Sequence, residues 1–167
     1  LRNPIDVMGV LAPEIKPLGD NTISVRVPTV SATQKSVFRK IIQDSAKIEF
    51  YLVDPESDSQ AEKYLKGDPS FAPNPGYQPR PHVIESERRG RTVYSHVFLK
   101  ERPERVRGED VRQARARNDE MGRWEITLEF KGGGAERFAE VTKNNIGRQL
   151  AIVMDNTVYS APNIKTA

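Results

Sequence analysis

Read for spacing alone, the chain alternates between two hydrophobic periods. Leu1, Ile5 and Met8 recur at helical intervals behind Asn3-Pro4, and Gly9 closes that short helix. Glu14 to Leu18 predicts a strand, and Ile23, Val25 and Val27 alternate with Ser24 and Arg26 in a second. Gly19-Asp20-Asn21 between them has turn chemistry, so the pair reads as a hairpin. Thr33 then caps a helix whose stripe is Val37, Phe38, Ile41 and Ile42. Ile48, Phe50 and Leu52 alternate with Glu49 and Tyr51 in a half-buried strand ending at Val53.

The last third is as legible. Thr92 to Leu99 predicts a strand, and Glu109 to Arg117 a helix with Gly108 at its entrance. Trp124, Ile126, Leu128 and Phe130 alternate with Glu125, Thr127 and Glu129, a strand with one wet face. Gly132-Gly133-Gly134 breaks it. Ala135, Phe138, Ala139, Val141 and Thr142 then recur at helical spacing, closing near Asn145 to Gly147. Leu150 to Met154 is an unbroken apolar run, interrupted at Asp155-Asn156 and resumed as Thr157 to Ser160. Strand, helix and strand form a βαβ unit followed by a hairpin. Asp155 sits where an acid could be aimed from a strand end. No second carboxylate or histidine is spaced to help it, and Asp-Asn suits a tight turn, so Asp155 is read as the turn. "APEI" at Ala12 to Ile15 and "APNI" at Ala161 to Ile164 form a faint echo from which sequence draws nothing. The whole pattern is α+β.

Composition changes this picture in one place. Asp54 to His82 carries six of the twelve prolines and few large apolar side chains. It reads as a loop or insertion with at most a helical turn around Ala61 to Leu65. The 167 residues suffice for one domain or two small lobes, and 26 basic against 23 acidic residues is a mild basic tilt. The chain has no cysteine, which excludes thiolate metal sites, thiol nucleophiles and disulfides. No apolar run reaches the length of a membrane span. A start at Leu1 without Met, and no signal peptide, reads as a piece of something longer.

Candidate chemistry is thin. "FKGGGAERF" joins a strand to a helix N-terminus, where free N–H groups can cradle phosphate. However, Ala135 and Glu136 stand where a phosphate loop needs Lys and a hydroxyl. His82 and His96 are the two imidazoles, and neither has ligand spacing. Six arginines between Arg102 and Arg117 are mixed with Glu104, Glu109 and Asp110, which favours a salt-bridged face over a clean phosphate-binding stripe. On residues alone, three readings stay open. One is a binding domain without chemistry; a second is a basic α+β RNA-binding module on Arg88 to Arg91 and Arg102 to Arg117; a third is a phosphate-binding enzyme on Gly132 to Gly134.

The same residues resemble a known family. "RNPIDVMGVLAPEIKPLGDNTISVRVP" is similar to the opening of the first extracytoplasmic domain of SecD, through Arg2, Asn3, Gly9, Pro13, Gly19, Asp20 and Pro28. "AKIEFYLV" matches a strand of that family through Phe50, and "RGEDVRQARA" another segment through Gly108, Asp110 and Ala114. The run from Phe130 to Ile164 carries Gly134, Ala135, Phe138, Thr142, Asn145, Gly147, Asp155, Ser160 and Pro162. Asp54 to Thr92 matches no family segment. The resemblance implies an α+β domain with a ferredoxin-like base lobe at 1–53, a Pro-rich insertion at 54–92, and a head lobe at 93–167. A hinge is expected near Val53-Asp54 and just beyond Ala161. It implies a periplasmic position on the bacterial cytoplasmic membrane, within a multi-pass protein. The task implied is proton-motive-force-driven export, with the domain transiently holding the emerging preprotein. SecF and the SecYEG channel are the implied partners. The signature residues are read as structural; no catalysis, cofactor, metal, nucleic acid or small-molecule ligand is expected.

Overall fold

The N-terminal hairpin forms as the alternation predicts. Glu14–Pro17 (β1) and Thr22–Arg26 (β2) pair antiparallel, with Ile15 opposite Val25, and Gly19 turns the chain at φ +128°. This computed structural model describes residues 14–26, 32–86, 91–122 and 124–165, with only the backbone of 32–35, 37, 83–86, 91–94 and 124. The helix expected at Leu1 to Met8 lies outside the described residues. Ala32–Gln43 (α1) buries Phe38 and Ile41; it starts at Ala32, so Thr33 lies inside its first turn rather than at the cap.

Glu49–Leu52 (β3) is followed by Ser57–Leu65 (α2), Tyr77–Ser86 (β4) and Arg91–Lys100 (β5). The stretch read as a loop thus holds a nine-residue helix and half of a long hairpin. Its prolines mislead because each occupies a tolerated position. Pro55 precedes α2, Pro69, Pro73 and Pro75 lie in the joining loop, and Pro79 and Pro81 sit in β4 with their backbone groups turned away from β5.

Val111–Asn118 (β6) and Trp124–Phe130 (β7) form a hairpin. The predicted helix at Glu109 to Arg117 is therefore a strand, entered through a 3-10 turn at Gly108–Asp110. A bulge between Val111 and Gln113 lets Val111 and Ala114 both face the core. That inserted residue gives a three-residue spacing which imitates a helix. Gly134–Lys143 (α3), Leu150–Met154 (β8), Thr157–Ser160 (β9) and Asn163–Ile164 (β10) complete the chain.

Among the described residues, ten strands make two sheets, ordered β10-β1-β2-β7-β6 and β3-β8-β9-β4-β5. The class is α+β, as expected. The order β7-α3-β8-β9 is also as expected, but β7 and β8 enter different sheets, so α3 bridges two sheets rather than crossing over within one. The ferredoxin-like detail expected of 1–53 is not confirmed by its described strands, since β2 and β3, on either side of α1, enter different sheets. Strands from 14–53 and from 93–167 pair in both sheets, β2 with β7 and β3 with β8. The echo of "APEI" and "APNI" has a structural counterpart, because β1 and β10 run parallel with Glu14 beside Asn163 and Ile15 beside Ile164.

The first sheet packs one face on α1, α3 and one face of β3 and β8. Ile15, Val25, Ile126, Leu128, Phe50, Leu52, Phe138, Leu150, Ile152 and Met154 share that core. The second sheet curls. A lone bridge from Val53 to Leu99 brings β5 back against the end of β3, and Tyr51, Val53, Leu99, Ala151, Val153 and Val158 fill the inside. β3 is therefore buried on both faces rather than half-buried, and so is β8, which explains its unbroken apolar run.

The 3-10 turn at Gly108 lies against Ser45–Lys47, donating the Gly108 N–H to the Ile48 carbonyl at 2.7 Å. A Cβ at Gly108 would stand 2.2 Å from the Ser45 carbonyl oxygen and 2.6 Å from the Ile48 nitrogen, both backbone. Gly108→Ala should cost about 1–3 kcal/mol of stability by forcing two chain segments apart. Urea unfolding checks this, with Gly67→Ala as the comparison: nothing lies within 4 Å of a Cβ there, but φ is +68°.

Candidate functional site

The signature residues converge on joints of the fold. Arg2, Asn3, Gly9, Pro13 and Pro28 lie outside the described residues; the others are placed as follows. Gly19 and Asp20 form the β1–β2 turn. Phe138 of α3 lies between Phe50 at 5.5 Å, edge-on, and Phe130 at 5.2 Å, stacked. Asp110 receives Arg137 at 2.6 Å on one oxygen and the Arg107 N–H at 3.0 Å on the other. Gly134 is needed beside it, since a Cβ there would stand 2.7 Å from Asp110 Cβ. Ala114 and Ala135 pack at the core. Thr142 donates its hydroxyl to the Phe138 carbonyl, and Asn145 donates to the Val141 carbonyl. Gly147 turns at φ +84° and donates to Ile164. Ser160 pairs with Ile152, and Pro162 is buried, its carbonyl accepting from Leu150. Asp155 and Asn156 have φ of 47° and 64°, the left-handed pair of a tight hairpin turn. Asp155 is the turn residue.

Little of this arrangement points to bond-making chemistry. The glycine run meets the Asp110 carboxylate, which already faces Arg137 at the start of α3, so a phosphate would meet negative charge there. Among the described residues, no three His, Asp or Glu side chains are grouped to hold a metal. Of the arginines from 102 to 117, Arg107 pairs with Glu109 at 3.6 Å, Arg112 with Glu129 at 3.4 Å and Arg117 with Glu125 at 2.5 Å. The Glu125 carboxylate, 3% exposed, also takes the Ser24 hydroxyl at 2.5 Å. Arg107 bridges Glu49 of β3, whereas the Arg112 and Arg117 pairs lie on the outer face of the first sheet, in keeping with the mixed charges. Over it lies a polar groove of about 300 Å³ bordered by Thr22, Arg115, Thr127 and Glu129.

The opposite character appears where sequence reading expected a loop. The outer face of the second sheet carries Pro79, Pro81, His96 and Phe98, by the pairing of Pro79 with Phe98 and Pro81 with His96. α2 and the loop after it lay aromatic rings on that face. Tyr64 meets His96 at 4.8 Å, Phe98 at 6.0 Å and Phe71 at 6.1 Å, all edge-on. Phe98 is fully buried, but Tyr64 is 41% and Leu65 57% exposed, so an apolar, ring-rich surface faces outward. Lys63, Lys66 and Lys100 border it. Tyr64, Leu65 and Phe71 were missed because the surrounding prolines marked the segment as irregular. The available signal was Ala61 with Tyr64 and Leu65 at helical spacing behind Asp54-Pro55, a helix-start pair.

A buried carboxylate holds this surface in place. Asp54, 3% exposed, accepts from Gln60 at 2.5 Å, Asn74 at 3.0 Å and the Glu56 N–H at 2.8 Å. Gln60 in turn accepts from the Asn74 N–H at 2.8 Å. Asp54 donates its N–H to the Phe98 carbonyl, while the Phe98 N–H is given to the Ser57 hydroxyl. The network ties the start of α2, the loop at Asn74 and β5 into one piece. The corner expected to hinge at Val53-Asp54 is thus pinned.

Comparison with known proteins gives two matches to one family. The description "SecDF, P1 head subdomain" matches residues 82–167, and "Protein translocase subunit SecDF, P1 domain, N-terminal" matches residues 1–55. The protein translocase subunit SecDF of Thermus thermophilus is 32% identical over 100% of this chain and 21% of its own length. The subunit SecD of Aquifex aeolicus is 33% identical over 99% of this chain and 30% of its own. A crystal structure of SecDF in a super-membrane-facing form is 31% identical over 98% of this chain and 21% of that one, with a TM-score of 0.45. The chain thus spans between a fifth and a third of these relatives. They align across Asp54 to Thr92 as well, so that segment does have a counterpart, although residues 56–81 fall outside both family matches.

Asp54→Ala removes the acceptor for two side-chain amides and one N–H. It should destabilise the domain by about 2–3 kcal/mol, since bonds to a buried charge are the strong ones. Urea unfolding measures the loss, and hydrogen exchange should show it first in α2 and around Asn74.

Proposed function

The chain belongs to the SecD/SecDF family of protein translocase subunits, as a P1 domain, and on that premise we propose that it holds an unfolded polypeptide emerging from the export channel. The holding is weak, transient and non-covalent, on the outer side of the cytoplasmic membrane. SecF and the SecYEG channel are its partners through the full-length subunit. The observation that carries this reading is the outward aromatic surface of Tyr64, Leu65 and Phe71, braced from below by the buried Asp54 network.

The physical demands of such a task are modest. A site that takes any passing chain needs apolar and aromatic area, which every unfolded sequence can use, and no fixed charge pattern that would select among them. A few partly exposed rings supply micromolar or weaker contact, which keeps release fast. Reaction chemistry, cofactor and metal have no part in it. The ion-paired outer face of the first sheet is polar and serves this task poorly.

Fluorescence anisotropy with a labelled, permanently unfolded polypeptide tests the reading. Binding in the micromolar range or weaker is expected, little changed between low and physiological salt. Tyr64→Ala with Leu65→Ser should weaken it about tenfold, a loss matching the apolar area removed. Unchanged binding in that double variant would move the site elsewhere. Salt-sensitive binding of single-stranded RNA, with none of polypeptide, would replace the reading with recognition by the arginines.

A further inference from the structure

The seam between β9 and β4 is the narrowest contact in the second sheet. β4 pairs with β5 over ten residues and β3 with β8 over four, yet β9 meets β4 at one bridge, His82 opposite Val158. β9 is itself short: in this parallel register its first residue, Thr157, already stands beside Pro81, and the Asp155-Asn156 turn lies beyond. Phe98 donates its N–H to Ser57 and accepts from the Asp54 N–H, so both of its backbone groups point away from β4. Its partner Pro79, and Pro81 two residues on, therefore turn their backbone groups away from β5 and toward β9. Proline has no N–H to give, so Pro81 offers β9 only its carbonyl. At its other margin the same ribbon meets β3 through the lone bridge from Val53 to Leu99. β4 is thus joined to β9 by one bridge and the small inner apolar cluster, whereas β5 is held to the end of β3 by the other bridge and by the backbone hydrogen bonds of Phe98 to Asp54 and Ser57.

His82 stands at the first of those bridges, on the inner face. Its register partner Ser95 and the neighbouring pair Arg80 and Val97 lie on the same side as Leu99. Among the described side chains of that face, β4 also contributes Arg80, and β3 contributes Glu49 and Tyr51, which hydrogen-bond to each other at 3.4 Å. β5, β8 and β9 bring Ser95, Val97, Ala151, Val153 and Val158, none of them charged. Burial lowers the His82 pKa to about 4, with no carboxylate acting to hold it up.

We propose that His82 is the latch of this seam: the neutral imidazole lets β4 close on β9 over the inner cluster, and the imidazolium parts β4 from β9 while β5 stays tied to α2 and Asp54 and the first sheet stays folded. The direction follows from linkage. In the open seam the imidazole is hydrated and titrates near its usual 6.5, whereas in the closed seam it stays neutral down to about 4. Between these values the open form binds more protons, so acid favours opening by about tenfold per pH unit, to a limit near 300-fold. Below about 4 both forms are protonated and the gain stops. The latch is independent of what the outer aromatic surface holds.

Hydrogen exchange on the whole 167-residue chain at pH 6.5 and 4.5 tests it, with rates corrected for the intrinsic pH dependence of exchange. The expected result is a rise of about 40-fold in opening for amides of β4 and β9, with β2 and β7 unchanged. His82→Gln, and independently His82→Leu, should remove the rise. Equal loss of protection in β4, β9, β2 and β7 of the unmutated chain would make the histidine a determinant of global stability and overturn the latch. So would a rise that persists in either non-titrating variant. The comparison of strands within the unmutated chain decides the matter even if a variant folds poorly.

Discussion

Both faces of one short strand are buried, and the domain is organised around that fact. Leu150, Ile152 and Met154 of β8 point into the core that joins the first sheet to α1 and α3. Ala151 and Val153 point into the cluster inside the curled second sheet. The two cores therefore share one backbone as their wall. Any residue in β8 that is polar, or too large for the tight inner curl, is excluded from both sides. The same constraint sets the neighbours: β3 must be apolar on both faces to pair with β8, and Phe138 must stack between Phe50 and Phe130 to seal α3 against it. Several of the described signature residues, Phe50, Phe138, Gly134 and Gly147 among them, sit at these joints.

Much of this was legible in the sequence because local patterning and tertiary role agree. The β1–β2 hairpin, α1, β7, α3 and the Asp155-Asn156 turn were each specified by short-range chemistry. Three misreadings have separate physical causes. The bulge at Arg112 put Val111 and Ala114 three residues apart on one face, which imitates a helix. Proline was counted as a breaker in Asp54 to His82, although a proline before a helix, in a loop or on a ladder-free strand position costs nothing. Finally, the assignment of β7 and β8 to different sheets depends on long-range pairing that no local period encodes. The echo of "APEI" and "APNI" is the reverse case, a weak local signal that coincides with two neighbouring parallel strands.

The aromatic surface was hidden by the same proline-rich composition. Its existence rests on a carboxylate, Asp54, that one would expect at a surface and finds buried under three hydrogen bonds. Buried charge of this kind is costly unless fully partnered, and here the partners are the amides of Gln60 and Asn74 that fix the helix and loop bearing Tyr64, Leu65 and Phe71. A rigid brace under an adaptable apolar surface suits a site that holds chains of any sequence. The single-bridge seam at His82 adds a degree of freedom beside that brace, because it is the narrowest strand pairing in the second sheet.

The most direct test of the central claim is site-specific photo-crosslinking within the full-length translocase subunit during export. A photoreactive residue at Leu65 reports on the aromatic surface, and one at Arg115 on the polar face of the first sheet. The account predicts crosslinks from position 65 to unfolded preprotein in transit and none from position 115. Crosslinks from position 115 alone, or none from position 65 while export proceeds, would contradict it.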